Sequence, residues 1–307
     1  MAESLRGGVI GAGVFGGYHA RQYARLPGVL LSAVLDMDAD RAAAVAAPLG
    51  GRAFTDLAAF LDAVDVVTVA SPASLHAEHA LAALAAGKPV YIEKPIATSL
   101  ADAERVRAAA AARGLVVACG HQERVQSRAM GLLDIPEPPL RLEALRHGPP
   151  SDRSRDVSAI LDLMIHDIDL ALAICAADPV TAEGEGRLSE DGVWDIARAE
   201  VGFEDGFTAI FDVSRQAPAR KRTMRIDYPS GDVEIDFVAR TLRNTTPFVL
   251  NADYAETPDG QDPLGASVAG FLAAVRGETA RPVVTAEEAI RALDLALAVE
   301  QALADPG

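Results

Sequence analysis

A Gly-x-Gly-x-x-Gly pattern lies where a strand-like run, Leu5–Ile10, meets a helical run, Val14–Leu26. This context is typical of dinucleotide-binding folds. The first glycine permits a tight turn, the second admits a pyrophosphate to the backbone, and the third permits close helix–strand packing. The helix N-terminus adds amide donors and a partial positive charge. A glycine-rich turn without a ligand is the alternative. The predicted dinucleotide contacts are those of Gly11, Gly13, Val14, Phe15 and Gly16.

Short β-branched runs alternate with alanine-rich helical runs as far as Cys119. Strands that alternate with crossover helices form a parallel, doubly wound sheet, so the predicted class is α/β with an N-terminal Rossmann-type sheet. The predicted strands are Leu5–Ile10, Leu30–Leu35, Arg52–Phe54, Asp65–Ala70, Val90–Glu93 and Leu115–Cys119. The predicted helices are Val14–Leu26, Ala39–Ala47, Leu57–Leu61, Leu75–Ala86 and Leu100–Ala112.

An acidic residue, Asp36, ends the second predicted strand. A carboxylate at this position accepts hydrogen bonds from the adenosine ribose hydroxyls and repels a 2′-phosphate. Asp38 and Asp40 strengthen the repulsion, so the sequence predicts NAD as the cofactor rather than NADP. Arg41 argues against the prediction of NAD, because an arginine here could accept the 2′-phosphate of NADP. The competing interpretation makes Arg41 a solvated helix residue.

The formal net charge of -16 makes nucleic acid and anionic membrane surfaces poor partners. No apolar run reaches the ~20 residues that cross a bilayer, and the N-terminus lacks the pattern of a signal peptide. The two cysteines, Cys119 and Cys175, lie in apolar runs and are expected to be buried free thiols. These features favour a cytoplasmic protein.

Lysine is rare in this chain, which carries only Lys88, Lys94 and Lys221 among its 28 basic residues. Because arginine serves elsewhere as the cation, a retained lysine is a candidate for chemistry specific to an ammonium group. Lys94 follows a predicted strand within Glu93-Lys94-Pro95, and ligands of doubly wound sheets bind beyond the carboxyl ends of the strands. We expect Lys94 at the reaction site, with a cis bond before Pro95 as one possibility. A plain surface lysine is the alternative.

The pattern changes after Gly120, which predicts two domains, residues 1–121 and 122–307. Turn signals at Asp205-Gly206 and Ser230-Gly231 predict antiparallel pairing, so the second domain is expected to be α+β with a large open mixed or antiparallel sheet. Thr285 and Glu288 form a capping-box pattern. The predicted strands are Val193–Phe203, Phe207–Ser214, Thr223–Tyr228 and Val233–Val238, and the helices are Val157–Ala176, Ala266–Val275 and Thr285–Ala304.

Asp162 and His166 are four residues apart in the predicted helix Val157–Ala176 and therefore share one face. Histidine titrates near neutrality and suits general acid–base work, while Asp162 could orient it or bind a substrate hydroxyl. Asp169 could serve the same face. Two alternatives remain, a histidine satisfied within the core and a metal site, although no further His/Cys cluster completes the latter.

Five segments together resemble the glucose–fructose oxidoreductase/inositol dehydrogenase (Gfo/Idh/MocA) family over essentially the whole chain. They are Gly11-x-Gly13-x-x-Gly16, the stretch from Ser71-Pro72 to His76, Glu93-Lys94-Pro95, Gly120-His121-Gln122-Glu123-Arg124 and Asp162-x-x-x-His166. The resemblance implies a Rossmann domain, a C-terminal sheet that builds homodimers or homotetramers, and hydride transfer between a sugar or cyclitol and NAD.

The resemblance also implies roles for individual residues. Lys94 would hold the reacting hydroxyl and help its deprotonation, His166 would be the acid–base group, and Asp162 would position the substrate or the histidine. No metal is implied. The implied cofactor contacts beyond the glycine loop and Asp36 are Ser71, Pro72, His76, Glu93, Lys94 and Gln122.

Within the family, the motifs are similar to those of the branch that oxidises the 3-hydroxyl of UDP-N-acetylglucosamine or its uronic acid for a partner aminotransferase. Arg124, Arg153 and Arg155 are the basic groups available for the UDP diphosphate, with solvated loop charges as the alternative. A dehydrogenase for a free sugar or inositol is a second hypothesis. A non-catalytic dinucleotide-sensing regulator is a third, but such a protein would not be expected to retain both Lys94 and His166.

Overall fold

The computed structural model describes residues 4–151 and 156–304. The chain divides into two compact units. The first contains the chain up to Gln122 together with Asp262–Ile290, and the second contains Glu123–Gln261 and the chain from Arg291 onward. This division differs from the one predicted from the sequence, which placed residues 122–307 in a single domain.

The first unit is built on a six-stranded sheet whose strands are all parallel, in the order β3-β2-β1-β4-β5-β6. This arrangement confirms the predicted doubly wound architecture. The strands are β1 Leu5–Ile10, β2 Val29–Leu35, β3 Arg52–Phe54, β4 Val66–Val69, β5 Val90–Ile92 and β6 Val117–Cys119. The helices that accompany them are α1 Val14–Arg25, α2 Ala39–Ala46, α3 Leu57–Asp62, α4 His76–Ala85 and α5 Leu100–Ala111.

A later helix, α9 (Pro263–Val275), completes the core of the first unit. Its Phe271 packs edge-to-face on Tyr91 of β5, and its Ser267 hydrogen-bonds the Tyr91 hydroxyl at 3.0 Å. Val268 and Leu272 join the same buried cluster. Burial of these apolar side chains explains why this segment belongs with the Rossmann sheet although it lies far along the sequence.

The second unit contains a seven-stranded mixed sheet in the order β13-β12-β11-β7-β10-β9-β8. β7 and β10 pair in parallel, and the other neighbours are antiparallel. The strands are β7 Arg141–His147, β8 Pro179–Leu188, β9 Trp194–Phe203, β10 Thr208–Ser214, β11 Lys221–Tyr228, β12 Gly231–Asp236 and β13 Thr241–Asn244. The α-helices that begin in this unit are α6 Glu123–Met130, α7 Ile165–Ile174 and the short α8 Pro258–Gln261.

Local signals that were read from the sequence are found in the structure. Gly206 has a positive φ where β9 turns into β10, and Gly231 does so where β11 turns into β12, as the turn dipeptides predicted. The last helix, α10 (Ala286–Ala304), begins with the predicted capping box, in which the Thr285 amide donates to Glu288 and the Glu288 amide donates to the Thr285 hydroxyl. Cys119 and Cys175 are buried free thiols.

The predicted helix Val157–Ala176 is interrupted by a π-helical segment, Ile160–Met164, which leads directly into α7. Asp162 lies within this wider turn and His166 lies one residue into α7. π-turns inside helices occur frequently at functional sites. Within the described part of the chain, no helix is both long enough and apolar enough to cross a membrane.

Candidate functional site

The glycine loop between β1 and α1 has the geometry that a dinucleotide requires. Gly11 adopts a φ of 97°, and a Cβ there would lie 2.6 Å from the carbonyl oxygen of Ala70. A Cβ on Gly16 would overlap the carbonyl oxygen of Gly11, so α1 can approach β1 only without a side chain. A Cβ on Gly13 would meet no atom within 4 Å, which leaves open space beside the first amides of α1. The loop therefore fits the pyrophosphate of NAD.

Two predicted contacts follow in the first turn of α1. Val14 is half exposed, and the ring of Phe15 packs edge-to-face on Tyr18 at a centroid distance of 5.8 Å. Val14 and Phe15 thus place apolar side chains next to the glycine loop.

Asp36 links the end of β2 to the glycine loop. Its carboxylate accepts from the amides of Ala12 at 2.8 Å and Asp38 at 3.0 Å. It also accepts from Nη2 of Arg41 at 2.6 Å, so this half-exposed arginine is an ion-pair partner and not merely a solvated residue. Burial acts to raise the pKa of Asp36, but these three donors outweigh it and hold the pKa below its ordinary value. Asp36 is thus an anion where a 2′-phosphate would lie, which fits NAD.

The Glu93-Lys94-Pro95 segment directly follows β5, and its Lys94–Pro95 bond is cis. Nε2 of His19 lies 2.7 Å from Oε1 of Glu93, and the Gln122 amide donates to the same oxygen at 3.3 Å. Burial acts to raise the pKa of Glu93, but the hydrogen bond from His19 and the nearby positive charges lower it overall. Glu93 therefore anchors the segment from inside, while Lys94 is only partly buried.

His76 joins the loops that follow β4 and β5. Its Nδ1 lies 2.7 Å from the Pro95 carbonyl oxygen and its Nε2 lies 2.9 Å from the Ser71 carbonyl oxygen. Two carbonyl acceptors favour a protonated ring, yet complete burial has the larger effect and lowers the pKa of His76. Both ring nitrogens are occupied by protein atoms, whereas the neighbouring Pro72 is exposed. The geometry makes His76 a support for Ser71 and Pro95.

In the second unit, His166 is held by a residue of the Gly120–Arg124 segment to which no role was assigned from the sequence. Its Nδ1 lies 2.6 Å from Oε2 of Glu123, the first residue of α6. Oε1 of Glu123 accepts from Nη1 of Arg146 at 2.9 Å. Arg146 in turn makes two hydrogen bonds to Asp167, at 3.0 and 2.9 Å. His166 thus stands at one end of a chain of buried charges.

Asp162 is bound to Arg215, whose Nη2 donates to Oδ2 at 3.1 Å. Arg215 also donates to the carbonyl oxygens of Val157 and Ser158, at 3.0 and 3.1 Å. These bonds tie the start of the π-helical segment to the residue that follows β10. Asp162 therefore has a fixed cationic partner, which the sequence analysis did not identify.

The structure argues against one predicted substrate contact. The Arg124 guanidinium is buried and makes two hydrogen bonds to Asp169, at 2.7 and 2.9 Å. A guanidinium whose paired donors are committed to a buried carboxylate is not open to a diphosphate, and Asp169 is correspondingly not open to the face of His166. The other two predicted contacts, Arg153 and Arg155, lie outside the described residues.

Some of the missed residues carried a sequence signal. Every second residue of β7 is buried, namely Leu142, Ala144 and Arg146. An arginine therefore occupies one of the positions whose side chains face the core. A charge there demands a buried partner, which is the role of Glu123 and Asp167. His19 gave no comparable signal. In residues 4–151 and 156–304, no group of three or more His, Cys, Asp or Glu side chains is arranged to hold a metal ion.

Two family models match the chain. Residues 5–121 match the model described as the Gfo/Idh/MocA oxidoreductase family with an NAD-binding Rossmann fold, and residues 141–234 match the model of the family's C-terminal domain. The chain belongs to the Gfo/Idh/MocA oxidoreductase family. Its first unit is accordingly an NAD-binding Rossmann domain, and the protein is an NAD-dependent dehydrogenase.

Individual relatives agree with this assignment. The UDP-N-acetylglucosamine 3-dehydrogenase of Acidithiobacillus ferrooxidans is 36% identical over 287 residues, which cover 91% of this chain and 90% of that protein. A solved structure of that enzyme superposes with a TM-score of 0.90 at 35% identity and covers 98% of each chain. The structure of GenD2 from gentamicin A biosynthesis, a complex with NAD, gives a TM-score of 0.87 at 26% identity and covers 100% of this chain and 96% of that one.

An inositol dehydrogenase is also similar, over a shorter stretch. Inositol 2-dehydrogenase 3 of Saccharopolyspora erythraea is 36% identical over 176 residues, which cover 54% of this chain and 52% of that protein.

Proposed function

We propose that the protein oxidises the 3-hydroxyl of a UDP-N-acetylhexosamine to a ketone, with NAD as the hydride acceptor. The supporting observation is the similarity to the UDP-N-acetylglucosamine 3-dehydrogenase, which extends over 91% of this chain. The shorter match to an inositol dehydrogenase supports the second candidate, oxidation of a free sugar or inositol.

Hydride acceptance is the chemistry that bound NAD supplies. The chain must supply the rest, which is to hold the substrate and to remove the hydroxyl proton. We propose that the Lys94 ammonium donates a hydrogen bond to the reacting oxygen and stabilises the alkoxide that develops as the C–H bond breaks. His166 takes the proton through Nε2, since Nδ1 binds Glu123. Asp162, fixed by Arg215, positions the substrate.

The residues proposed to bind NAD are those of the glycine loop, Asp36 and the segments around Glu93. Glu93 and His76 act from within, by holding Lys94, Ser71 and Pro95 in place. Ser71, Pro72 and Gln122 lie at the carboxyl ends of β4 and β6, the edge at which doubly wound sheets bind ligands.

The proposed assembly is a homodimer or homotetramer formed through the seven-stranded sheet. The face of that sheet opposite the core carries self-paired charges, among them Arg225 with Glu234 at 2.7 Å and Arg243 with Asp232 at 2.6 Å. Charges that are paired within one chain cost less to bury against a second copy than unpaired charges would. We further propose a cytoplasmic location, where NAD and UDP-sugars occur, and an aminotransferase that consumes the 3-keto product.

A substrate panel tests the proposed function. Purified protein with NAD⁺ is expected to form NADH with UDP-N-acetylglucosamine or its uronic acid, and much more slowly with myo-inositol or free N-acetylglucosamine. UDP-glucose is the matched control, since it retains the nucleotide and lacks the acetamido group. If NADH forms with inositol and with none of the UDP-sugars, the protein is instead a dehydrogenase of a free sugar or inositol. No NADH formation with any sugar would favour the dinucleotide-sensing regulator.

A further inference from the structure

The His166 imidazole contacts an anion whose position is fixed from both sides. Glu123 is the first residue of α6, where the positive end of the helix favours a carboxylate. Its Oε2 meets Nδ1 of His166 at 2.6 Å and its Oε1 accepts from Arg146 at 2.9 Å. Because each oxygen has its own partner, the carboxylate cannot turn away from the imidazole without losing a buried hydrogen bond.

Arg146 is itself held on its far side. It is 1% exposed, and its Nε and Nη2 both donate to Asp167, the residue that follows His166 in α7. A bidentate arginine–carboxylate pair fixes direction as well as distance. The imidazole, Glu123, Arg146 and Asp167 therefore form a closed arrangement that begins and ends on α7.

The charges in this cluster keep Glu123 ionised. Burial acts to raise the pKa of Glu123, but the charges of His166, Arg146 and Arg222 hold it well below its ordinary value. The charged groups of the cluster come from α6, α7, β7 and β11, and are Glu123, Asp167, Arg146 and Arg222. Two carboxylates face these two guanidinium groups, and Arg220 is a further positive charge near Arg222.

An ionised carboxylate only accepts hydrogen bonds, so the nitrogen that faces it must carry a proton. Neutral histidine has one protonated nitrogen, and hydrogen bonding at one nitrogen decides the state of the other. With the proton on Nδ1, the lone pair is on Nε2, which is the atom that can take a proton from a substrate.

We propose that Glu123 is a positioning residue that fixes His166 in the Nδ1–H tautomer, and that Arg146 and Asp167 keep Glu123 aimed at the imidazole. This inference rests on the proposed role of His166 as the base. It also assigns a role to Glu123, which lies in the Gly120–Arg124 segment and had no role in the sequence analysis. In this proposal Glu123 orients the His166 imidazole, which takes the proton, and does not itself contact the substrate.

The tautomer can be measured directly in the wild-type protein with bound NAD. Long-range ¹H–¹⁵N correlation spectra of ¹⁵N-histidine-labelled protein distinguish the two neutral tautomers, and His166→Asn identifies the signal. We expect the Nδ1–H form for His166. Observation of the Nε2–H form would overturn the inference. This readout needs no turnover, so it decides the inference even if no UDP-sugar proves to be a substrate.

The variant Glu123→Gln tests the consequence for catalysis. The Gln carbonyl can still accept from Arg146, but its amide then faces Nδ1 and favours the inactive tautomer. We expect kcat to fall by about 10²-fold or more, within the range for a general base. Loss of the anion also disfavours the imidazolium, so the acid limb of kcat/KM should move to lower pH. Affinity for NAD should change little.

Two further variants serve as controls for Glu123→Gln. Glu123→Asp retains the anion and should recover part of the lost kcat together with the wild-type position of the acid limb. Glu104→Gln removes an exposed carboxylate that pairs with Arg107 and should leave kcat and the pH profile unchanged. An unaltered kcat and an unaltered acid limb in Glu123→Gln would overturn the inference, whatever the substrate.

Discussion

The Lys94→Ala variant is expected to lose turnover while it still binds NAD. The ammonium group is assigned to the developing alkoxide, and removal of one such stabilising group costs about 10²–10³-fold in kcat. Its loss as a proton-transfer partner can extend the effect to about 10⁴-fold. The glycine loop, Asp36 and Glu93 make their contacts without the Lys94 side chain, so the dissociation constant for NAD should stay close to that of the wild type. Stopped-flow detection of NADH measures turnover. Quenching of the intrinsic protein fluorescence by added NAD⁺ measures the dissociation constant.

Lys221→Ala is the matched control for Lys94→Ala. Lys221 is an exposed lysine at the start of β11, so its loss should leave turnover unchanged. A Lys94→Ala variant that retains a tenth or more of wild-type kcat, roughly, would remove Lys94 from the reaction. A variant that loses NAD binding in parallel would make Lys94 a cofactor ligand alone.

The Arg146→Met variant is expected to lose about 3–5 kcal/mol of unfolding free energy, the usual cost of removing one partner from a buried ion pair. Arg146 is fully enclosed and satisfies one oxygen of Glu123 and both oxygens of Asp167. Methionine fills similar volume but leaves two buried carboxylates without their shared cation. Urea denaturation followed by circular dichroism measures the loss.

The pH dependence of this loss identifies its cause. Arg146 helps to hold the pKa of Glu123 low, so its removal should make Glu123 easier to protonate in the folded protein. The deficit should therefore shrink as the pH falls toward about 5, because protonation removes a buried charge. Arg105→Met, which removes an exposed arginine paired with Asp102, should have little effect at any pH. A small, pH-independent cost in Arg146→Met would show that the buried cluster does not depend on its arginine.

The Rossmann part of the fold could be predicted from the sequence because its signals are local. β4 is buried at every position and consists entirely of β-branched residues, and Gly87 and Gly114 follow their helices with positive φ. The Thr285 capping box placed the start of α10 to within one residue. Each of these features depends on neighbours a few positions away.

Parts of the second unit had no such signals. β8 is an edge strand whose sequence, PVTAEGEGRL, shows no apolar alternation, and most of its residues are exposed. β7 has only three aliphatic residues among seven, and its inward arginine disguises the pattern. β13 is four residues long. Their pairing is decided by partners far along the chain, which local propensity does not report.

The same distinction applies to the site. The spacing of Asp162 and His166 is visible in one helix, whereas the bond between His166 and Glu123 joins residues 43 positions apart. Arg124 shows the opposite error, in which a sequence-based prediction names a residue that is not accessible. Its charge suggested a contact with the diphosphate, but the folded structure buries it against Asp169. Residue type indicates which chemistry is available, and packing decides which groups remain accessible.

Isotope transfer from the sugar tests the central claim, that this dehydrogenase removes hydride from C3 of a UDP-N-acetylhexosamine. Purified protein is incubated with NAD⁺ and UDP-N-acetylglucosamine that carries deuterium only at C3, and both products are analysed by mass spectrometry. We expect the deuterium in the reduced nicotinamide and a 3-keto sugar without it. Deuterium that remains on an oxidised sugar, or an absence of any reduced nicotinamide, would contradict the proposed reaction.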